Sequence, residues 1–414
     1  MELLRFFTAG NVDDGKSTLI GRLLYDSKSI STDIIETLTR QSKTTGVNAD
    51  IDLALLTDGL RAEREQGITI DVAYKYFSTD KRKFIIADTP GHIQYTRNMF
   101  TGASNADLAI ILVDARNGIT DQTKRHSILS AILGTPHVLV CVNKMDLVDY
   151  SEFVYKKIEE DYLNFAKPLN IKEITFIPAS ALAGDNVVNP SEKMQWYKGP
   201  ALLKFLEEVP IVEEKANDAS RFQVQYVIRP QTDEHHDYRG YAGKVSSGSY
   251  KKGQKVVVLP SGIETEIDKI EKHQKEIEVA EVNDPVVIHL KDDVDISRGS
   301  TIVPVEHLPK TEKEMTATLC WMDNNSFVSG QKLLLQQNSF RTKAIVKEII
   351  AQIDIHTFEK KDSDGSMKLN DICKVLIKTA ESISYDSYAE NRSSGAFILI
   401  NENTNNTVAA GTID

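Results

Sequence analysis

The most specific motif of this chain is Gly10-Asn11-Val12-Asp13-Asp14-Gly15-Lys16-Ser17. It fits the pattern G-x-x-x-x-G-K-[ST] between an apolar run, Leu4–Ala9, and a helical pattern, Lys16–Leu24. In such a strand–loop–helix unit the backbone N–H groups of the loop surround a β-phosphate, and the helix N-terminus adds its dipole. Lys16 reaches the β- and γ-phosphates, and the Ser17 hydroxyl binds Mg²⁺. We call residues 10–17 the phosphate loop, and they predict a nucleoside triphosphate site.

The rest of residues 1–210 alternates short apolar runs with helical patterns. The apolar runs are typical of buried parallel strands and occur at Phe84–Ala87, Leu108–Val113, Val138–Val142 and Ile174–Ile177. The helical patterns between them cover Tyr95–Ala103, Gln122–Leu133 and Glu152–Phe165. This alternation predicts an α/β domain with a parallel-rich sheet and helices on both faces.

From Arg221 onward the pattern changes to short strands separated by frequent glycine turns. Alternating runs such as Phe222–Val227 and Lys255–Leu259 fit antiparallel strands of a barrel or sandwich. We therefore predict three domains, a nucleotide-binding domain at 1–211 and two antiparallel β domains at 220–305 and 312–414.

Composition narrows the class of protein. Of the 414 residues, 41% are hydrophobic and 26% are charged, as in ordinary soluble globular proteins. The sequence has no apolar run near the roughly 18 residues of a membrane span and no N-terminal signal-peptide pattern, so we expect a cytoplasmic protein. The net charge of −11 argues against broad nucleic-acid binding. The 3 cysteines lie far apart, which excludes a disulfide framework or a zinc motif.

A second motif, Asp88-Thr89-Pro90-Gly91-His92, directly follows the predicted strand Phe84–Ala87. A carboxylate at Asp88 can hold Mg²⁺ through a water molecule, and the N–H of Gly91 can contact a γ-phosphate. His92 can orient or polarise the attacking water, which makes it the candidate catalytic residue. The alternative for His92 is a loop histidine that only packs on a neighbour.

Two further motifs predict guanine as the base. Asp146, in Asn143-Lys144-Met145-Asp146, can accept hydrogen bonds from N1–H and the 2-amino group of guanine, a pair that adenine does not offer. Asn143 can brace the phosphate loop, and the stem of Lys144 can lie over the ring. In Ser180-Ala181-Leu182, backbone N–H groups can contact guanine O6.

A long segment between Lys16 and Asp88 contains Gly67-Ile68-Thr69. The hydroxyl of Thr69 can bind Mg²⁺ when a γ-phosphate is present, which is the behaviour of a switch segment. Ile68 and Val12 are either a hydrophobic barrier beside the attacking water or ordinary packing residues.

In this order the motifs resemble those of the translation-factor GTPases, and the resemblance extends through Gly243–Val256 to Asn391–Gly395. It implies a GTPase domain followed by two β-barrels, as in elongation factor Tu. Asp14, where translation factors usually carry histidine, and the run Leu53–Tyr74 are more similar to the large GTPase subunits of bacterial sulfate adenylyltransferase. Ile93 departs from the glutamate that is common after this motif.

The narrower resemblance implies GTP and Mg²⁺ as ligands and a heterodimer with a small catalytic subunit. That partner makes adenosine 5′-phosphosulfate and pyrophosphate from ATP and sulfate. No second phosphate loop follows residue 17 and the chain ends near Asp414, so we expect no fused adenylylsulfate kinase. The alternative is a translation elongation factor that delivers aminoacyl-tRNA, which the acidic net charge disfavours.

Overall fold

The computed structural model describes residues 2–30, 53, 71–91, 96–169, 171–211, 219–230, 238–354, 359–363 and 365–414. The chain divides into two compact units. One unit is Met1–Val212 with Asp354–Glu359, and the other is Glu213–Ile353 with Lys360–Asp414.

The first unit contains a six-stranded sheet. Its strands are β1 Leu3–Ala9, β2 Ala73–Ser78, β3 Lys83–Asp88, β4 Leu108–Asp114, β5 His137–Asn143 and β6 Glu173–Pro178. They lie in the order β2-β3-β1-β4-β5-β6, and every pair is parallel except β2 with β3. All residues of β4 and β5 are buried, as expected for parallel strands covered on both faces. The predicted parallel-rich sheet is confirmed.

Five helices belong to this unit among its described residues: α1 Lys16–Asp26, α2 Thr96–Ala103, α3 Asp121–Ile132, α4 Glu152–Ala166 and α5 Leu202–Glu208. Apolar residues of α1 and α5 join one core cluster with alternate residues of the central strands. The helix α3 packs against β4, and α2 packs against β1 and β3. Short 3₁₀ helices follow at Met145–Val148 and Lys167–Leu169.

The helix ends follow from local sequence. Thr120 accepts a hydrogen bond from the Thr123 N–H at the start of α3, and Ser151 accepts one from Val154 before α4. Gly15 precedes α1 with φ of 91°, and a Cβ there would lie 2.6 Å from the side-chain nitrogen of Asn143. Glycine is therefore required at this turn.

The strand order brings the motifs to one edge of the sheet. Thr8 of β1 is the register partner of Asp88 at the end of β3, and Asp114 of β4 is the partner of Asn143 at the end of β5. Ligands of open α/β sheets bind outside the carboxyl ends of such strands.

The second unit contains two closed antiparallel barrels of six strands. The first barrel closes where β10 pairs with β11, in the order β10-β15-β7-β8-β14-β11. Its strands are β7 Arg221–Ile228, β8 Gly240–Ser247, β10 Lys255–Leu259, β11 Ile263–Lys272, β14 Pro285–Leu290 and β15 Thr301–Pro304. The short strands β9 Tyr250–Lys251, β12 Lys275–Ile277 and β13 Val279–Ala280 lie between them.

The second barrel closes where β17 pairs with β18, in the order β17-β21-β22-β16-β20-β18. Its strands are β16 Lys310–Trp321, β17 Leu333–Gln337, β18 Phe340–Ile353, β20 Ile372–Tyr385, β21 Ala396–Asn401 and β22 Thr407–Ile413. The strand β19 Lys360–Lys361 pairs with β18, and the short helix α6 Arg392–Gly395 precedes β21. Each barrel has its own apolar core. Among the described residues, no helix is long and apolar enough to cross a membrane.

Candidate functional site

The phosphate loop is held in shape by its own polar groups. The side chain of Asp14 accepts a hydrogen bond of 2.6 Å from the N–H of Asn11, and the Asn11 side chain accepts one of 2.9 Å from Val12. Asp13 has a φ of 69°, so the loop uses left-handed backbone at a non-glycine position. Lys16 is buried at the start of α1.

Asp14 is a buried carboxyl within this loop. Burial raises its pKa to about 6, although the Asn11 N–H and the charge of Lys16 act in the opposite direction. Its backbone carbonyl accepts a hydrogen bond of 2.8 Å from the side chain of Asn143. The loop therefore contains a carboxyl that gains a proton more readily than an exposed aspartate does.

The loop after β3 lies directly against the phosphate loop. Asp88 is buried, and its carboxylate accepts a hydrogen bond of 3.1 Å from the Thr8 hydroxyl. The hydroxyl of Thr89 donates to the Thr8 carbonyl at 2.6 Å. A Cβ at Gly91 would lie 2.6 Å from the Gly10 carbonyl and 2.9 Å from the Lys16 amine, so only glycine fits there. His92 lies outside the described residues, as do Gly67, Ile68 and Thr69.

Asn143 connects the phosphate loop with the loop after β6. Its side-chain nitrogen donates to the Asp14 carbonyl, and its side-chain oxygen accepts a hydrogen bond of 2.9 Å from the Ala181 N–H. The predicted contact between Asn143 and the phosphate loop is therefore present.

Asp146 carries a polar atom that no described residue of the protein satisfies. Its Oδ1 atom is buried and has no hydrogen-bond partner among the described residues. An unpaired buried carboxylate oxygen costs free energy, which a ligand with an N–H donor would recover.

Asp114 is a site residue that the sequence analysis missed. It is 2% exposed at the end of β4, and it accepts bonds from Arg116 Nη2 at 2.6 Å and from Lys144 Nζ at 2.9 Å. Burial acts to raise the pKa of Asp114, but these cationic partners outweigh it and hold the pKa at about 2. The Lys144 amine also donates to the Asp13 carbonyl, so Asp114 helps to hold Lys144 over the phosphate loop. The sequence did contain a signal for Asp114, because its carboxylate lies at the end of a buried strand, as that of Asp88 does.

Gln122, near the start of α3, was also missed. Its side-chain nitrogen lies 3.1 Å from the Gly91 carbonyl and 3.1 Å from Nε2 of His126. Burial, with the nearby charges of Lys16 and Arg125, lowers the pKa of His126 to about 3. His126 is therefore neutral, and it orients a glutamine that holds the loop before His92.

The loop Ser180-Ala181-Leu182 lies beside α1. The Ser180 N–H donates to the Asp185 carbonyl at 3.0 Å, which closes a short turn. Arg22 of α1, a third missed residue, donates to the carbonyls of Ala181 and Leu182. No sequence pattern indicated this contact, because it joins a helix and a loop that lie far apart in sequence.

Two family models match this chain. The family model described as the elongation factor Tu GTP binding domain matches residues 1–214, and that described as GTP-eEF1A C-terminal domain-like matches residues 314–414. Sulfate adenylyltransferase subunit 1 of Alteromonas mediterranea is 51% identical over 413 residues, which are 100% of this chain and 87% of that protein.

The protein of the same name from Bacteroides fragilis is 49% identical over 413 residues, 100% of this chain and 86% of its own length. The crystal structure of sup35 complexed with GMPPNP has 22% identity and a TM-score of 0.45, over 100% of this chain and 93% of that one. On its full-length identity to these relatives, the chain belongs to the sulfate adenylyltransferase subunit 1 family, within the translation-factor GTPases.

Proposed function

We propose that this chain binds GTP with Mg²⁺, hydrolyses it, and is the regulatory subunit of a cytoplasmic sulfate adenylyltransferase. Its small catalytic partner makes adenosine 5′-phosphosulfate and pyrophosphate from ATP and sulfate. The name of the relatives, sulfate adenylyltransferase subunit 1, supports the link to sulfate activation and the existence of a partner.

The observation that carries the proposal is the buried, unpartnered oxygen of Asp146 among the described residues. Guanine N1–H and the 2-amino group supply the two donors that a carboxylate at this place needs. Adenine would leave the oxygen unpaired, so the site selects GTP over ATP. Asn143 and the Ser180–Leu182 loop complete the base site in this proposal.

The phosphates bind along the phosphate loop, where the Lys16 amine neutralises charge. The donors offered to Mg²⁺ are the Ser17 hydroxyl, the Thr69 hydroxyl and, through water, the buried carboxylate of Asp88. These are hard oxygen donors, which fit Mg²⁺. The described residues hold no group of three or more His, Cys, Asp or Glu side chains that could bind a metal ion. The bound ion neutralises phosphate charge.

Hydrolysis requires a water in line with the γ-phosphate. In this proposal His92 orients that water and the Gly91 N–H contacts the γ-phosphate. Gln122 supports both roles, because it holds the Gly91 carbonyl directly before His92. Loss of the γ-phosphate would then release the loop after β3 together with the switch segment at Gly67–Thr69.

The reason to couple GTP hydrolysis to adenylyl transfer is energetic. Sulfate is a weak nucleophile, and its mixed anhydride with AMP lies uphill of ATP and sulfate. A second hydrolysis shifts that balance only if both reactions share conformational states. The switch segment and the loop after β3 supply such states on this chain.

The proposal is tested by measuring phosphate from GTP and phosphosulfate from ATP in one reaction. The isolated chain is expected to hydrolyse GTP slowly and to make no phosphosulfate. Addition of a small catalytic subunit should restore synthesis, and ATP with sulfate should accelerate GTP turnover. A non-hydrolysable GTP analogue is the control and should hold synthesis near its GTP-free limit. Phosphosulfate synthesis by this chain alone would contradict the proposal.

A further inference from the structure

Arg22 joins the helix after the phosphate loop to the loop Ser180-Ala181-Leu182. Its Nε atom donates to the Ala181 carbonyl at 3.2 Å, and Nη2 donates to the Leu182 carbonyl at 2.6 Å. Its Nη1 atom lies 3.6 Å from Oδ1 of Asp26 on the same helix. One guanidinium thus holds two consecutive carbonyl groups of a loop that is distant in sequence.

Because the peptide bond is planar, the contacts of Arg22 with these carbonyls also fix the direction of the Leu182 N–H. In a trans peptide the C=O and the following N–H point in opposite directions. A carbonyl of Ala181 held towards Arg22 therefore directs the Leu182 N–H away from Arg22. The Ala181 N–H already donates to Asn143, and the Ala183 N–H donates to the Ser180 hydroxyl at 3.1 Å. The Leu182 N–H has no acceptor among the residues described.

We propose that Arg22 is a positioning residue for base recognition, which fixes the Leu182 N–H so that it donates to O6 of a bound guanine. The inference rests on the proposed function, because it requires a guanine nucleotide as the ligand. Arg22 does not touch the nucleotide in this role. It acts by setting the orientation of a peptide group whose other neighbours are already hydrogen-bonded.

The competing explanation is that Arg22 only stabilises α1 through its ion pair with Asp26. The two explanations can be tested separately, because Arg22 uses Nε and Nη2 for the carbonyls and Nη1 for Asp26. Asp26→Asn removes the ion pair and leaves the carbonyl contacts in place. Arg22→Gln removes both, and Arg22→Lys keeps the charge but cannot hold two carbonyls in the fork geometry of a guanidinium.

The experiment measures the Kd of the full chain and its variants for GDP, 6-thio-GDP and IDP by calorimetry. A firmly held N–H prefers the oxygen at position 6 to the larger, weaker acceptor sulfur. Arg22→Gln should weaken GDP binding by up to roughly tenfold, as expected when the single hydrogen bond from the Leu182 N–H to guanine is lost. It should also reduce the ratio by which the chain prefers GDP to 6-thio-GDP. The preference for GDP over IDP should stay unchanged, because Asp146 reads the 2-amino group. Arg22→Lys should be intermediate, and Asp26→Asn should bind like the unmutated chain.

Several outcomes would overturn the inference. Equal Kd values for Arg22→Gln and the unmutated chain would do so, as would equal losses in Arg22→Gln and Asp26→Asn. If the preferences for GDP over 6-thio-GDP and for GDP over IDP both fell, the whole base site would be disturbed, which would contradict a specific role for Arg22. If Arg22→Gln does not fold, the comparison of Arg22→Lys with Asp26→Asn decides in the same way. An unmutated chain that binds GDP no better than ADP would instead refute the proposed function itself.

Discussion

At the scale of the residue, Asp146 controls the choice of base. Asp146→Asn replaces a carboxylate oxygen by an amide donor, which suits the 2-oxo group of xanthine. We expect GTP affinity to fall by roughly 10²-fold or more, since a buried polar group loses its partner, while affinity for xanthosine triphosphate rises. Binding assays with both nucleotides check this, with the exposed neighbour Asp149→Asn as the control. Unchanged preference for GTP would remove Asp146 from the site.

His92 is expected to act on turnover and not on affinity. His92→Ala should leave GTP binding roughly intact and slow hydrolysis by roughly 10²–10⁴-fold, the range for one proton-handling or orienting group. Lys16→Ala is the contrasting variant, because it removes a charge from the phosphates and should weaken binding as well. Normal turnover by His92→Ala in the complete complex would make His92 a packing residue.

The raised pKa of Asp14 predicts that the stability of the nucleotide-free protein depends on pH. Burial raises its pKa from 3.8 to about 6, so the folded state binds the proton more tightly than the unfolded state. Stability from this group is present at low pH and is lost as the pH rises through 6, by up to about 3 kcal/mol. The Tm of Asp14→Asn should therefore exceed that of the unmutated chain by an amount that increases from pH 4 to pH 7 and is constant above pH 7. A Tm difference that does not vary with pH would contradict this.

At the scale of the element, Arg82 caps the C-terminal end of the helix α5. Its buried guanidinium donates to the carbonyls of Leu206 at 3.0 Å and Val209 at 2.7 Å, which the helix itself leaves without partners. Arg82→Ala should cost about 1–3 kcal/mol of unfolding free energy, because buried acceptors lose their donor. Urea unfolding measures the change.

The adjacent Lys81 is the matched control. It pairs with Glu207 of the same helix at 2.9 Å, but its side chain is 60% exposed. Glu207 is 13% exposed, so only the lysine end of this pair is solvated. Lys81→Ala should therefore cost less than Arg82→Ala, since solvent screens the exposed amine. Equal losses in the two variants would mean that charge near α5 matters and carbonyl capping does not.

At the scale of the whole molecule, the two barrels are joined by buried polar contacts. Arg221 of β7 makes paired bonds of 2.9 and 2.8 Å to Asp386 of the second barrel, and Asn391 donates to the Ser247 hydroxyl at 2.9 Å. Arg221 and Asp386 are only 5% and 12% exposed at their side chains. The barrels are therefore expected to unfold together.

Asp386→Ala should reveal this connection. It leaves the buried guanidinium of Arg221 without its carboxylate, which costs roughly 3–5 kcal/mol, and it should split one unfolding transition of the second unit into two. Glu402→Ala breaks the exposed pair with Lys343 and serves as the control. A single, unshifted transition in Asp386→Ala would show that apolar contacts alone join the barrels.

The parallel-rich domain and its motifs could be predicted from local sequence patterns. Each motif follows a strand directly, as Asp88 follows Phe84–Ala87 and Asn143 follows Val138–Val142, so local pattern also fixed which edge of the sheet carries them. The helices Gln122–Leu133 and Glu152–Phe165 were predicted to within a residue at each end, because apolar spacing and capping residues are local signals.

The side chains that hold these motifs in place could not be predicted from local patterns and are known only from the folded structure. Lys144 pairs with Asp114, Arg22 holds the carbonyls of Ala181 and Leu182, and Gln122 holds Gly91. Strand periodicity likewise could not distinguish a barrel from a sandwich. The structure shows barrels, which close where β10 pairs with β11 and β17 pairs with β18. Periodicity reports which face of an element is buried, whereas such pairings depend on the path of the chain between elements that lie far apart in sequence.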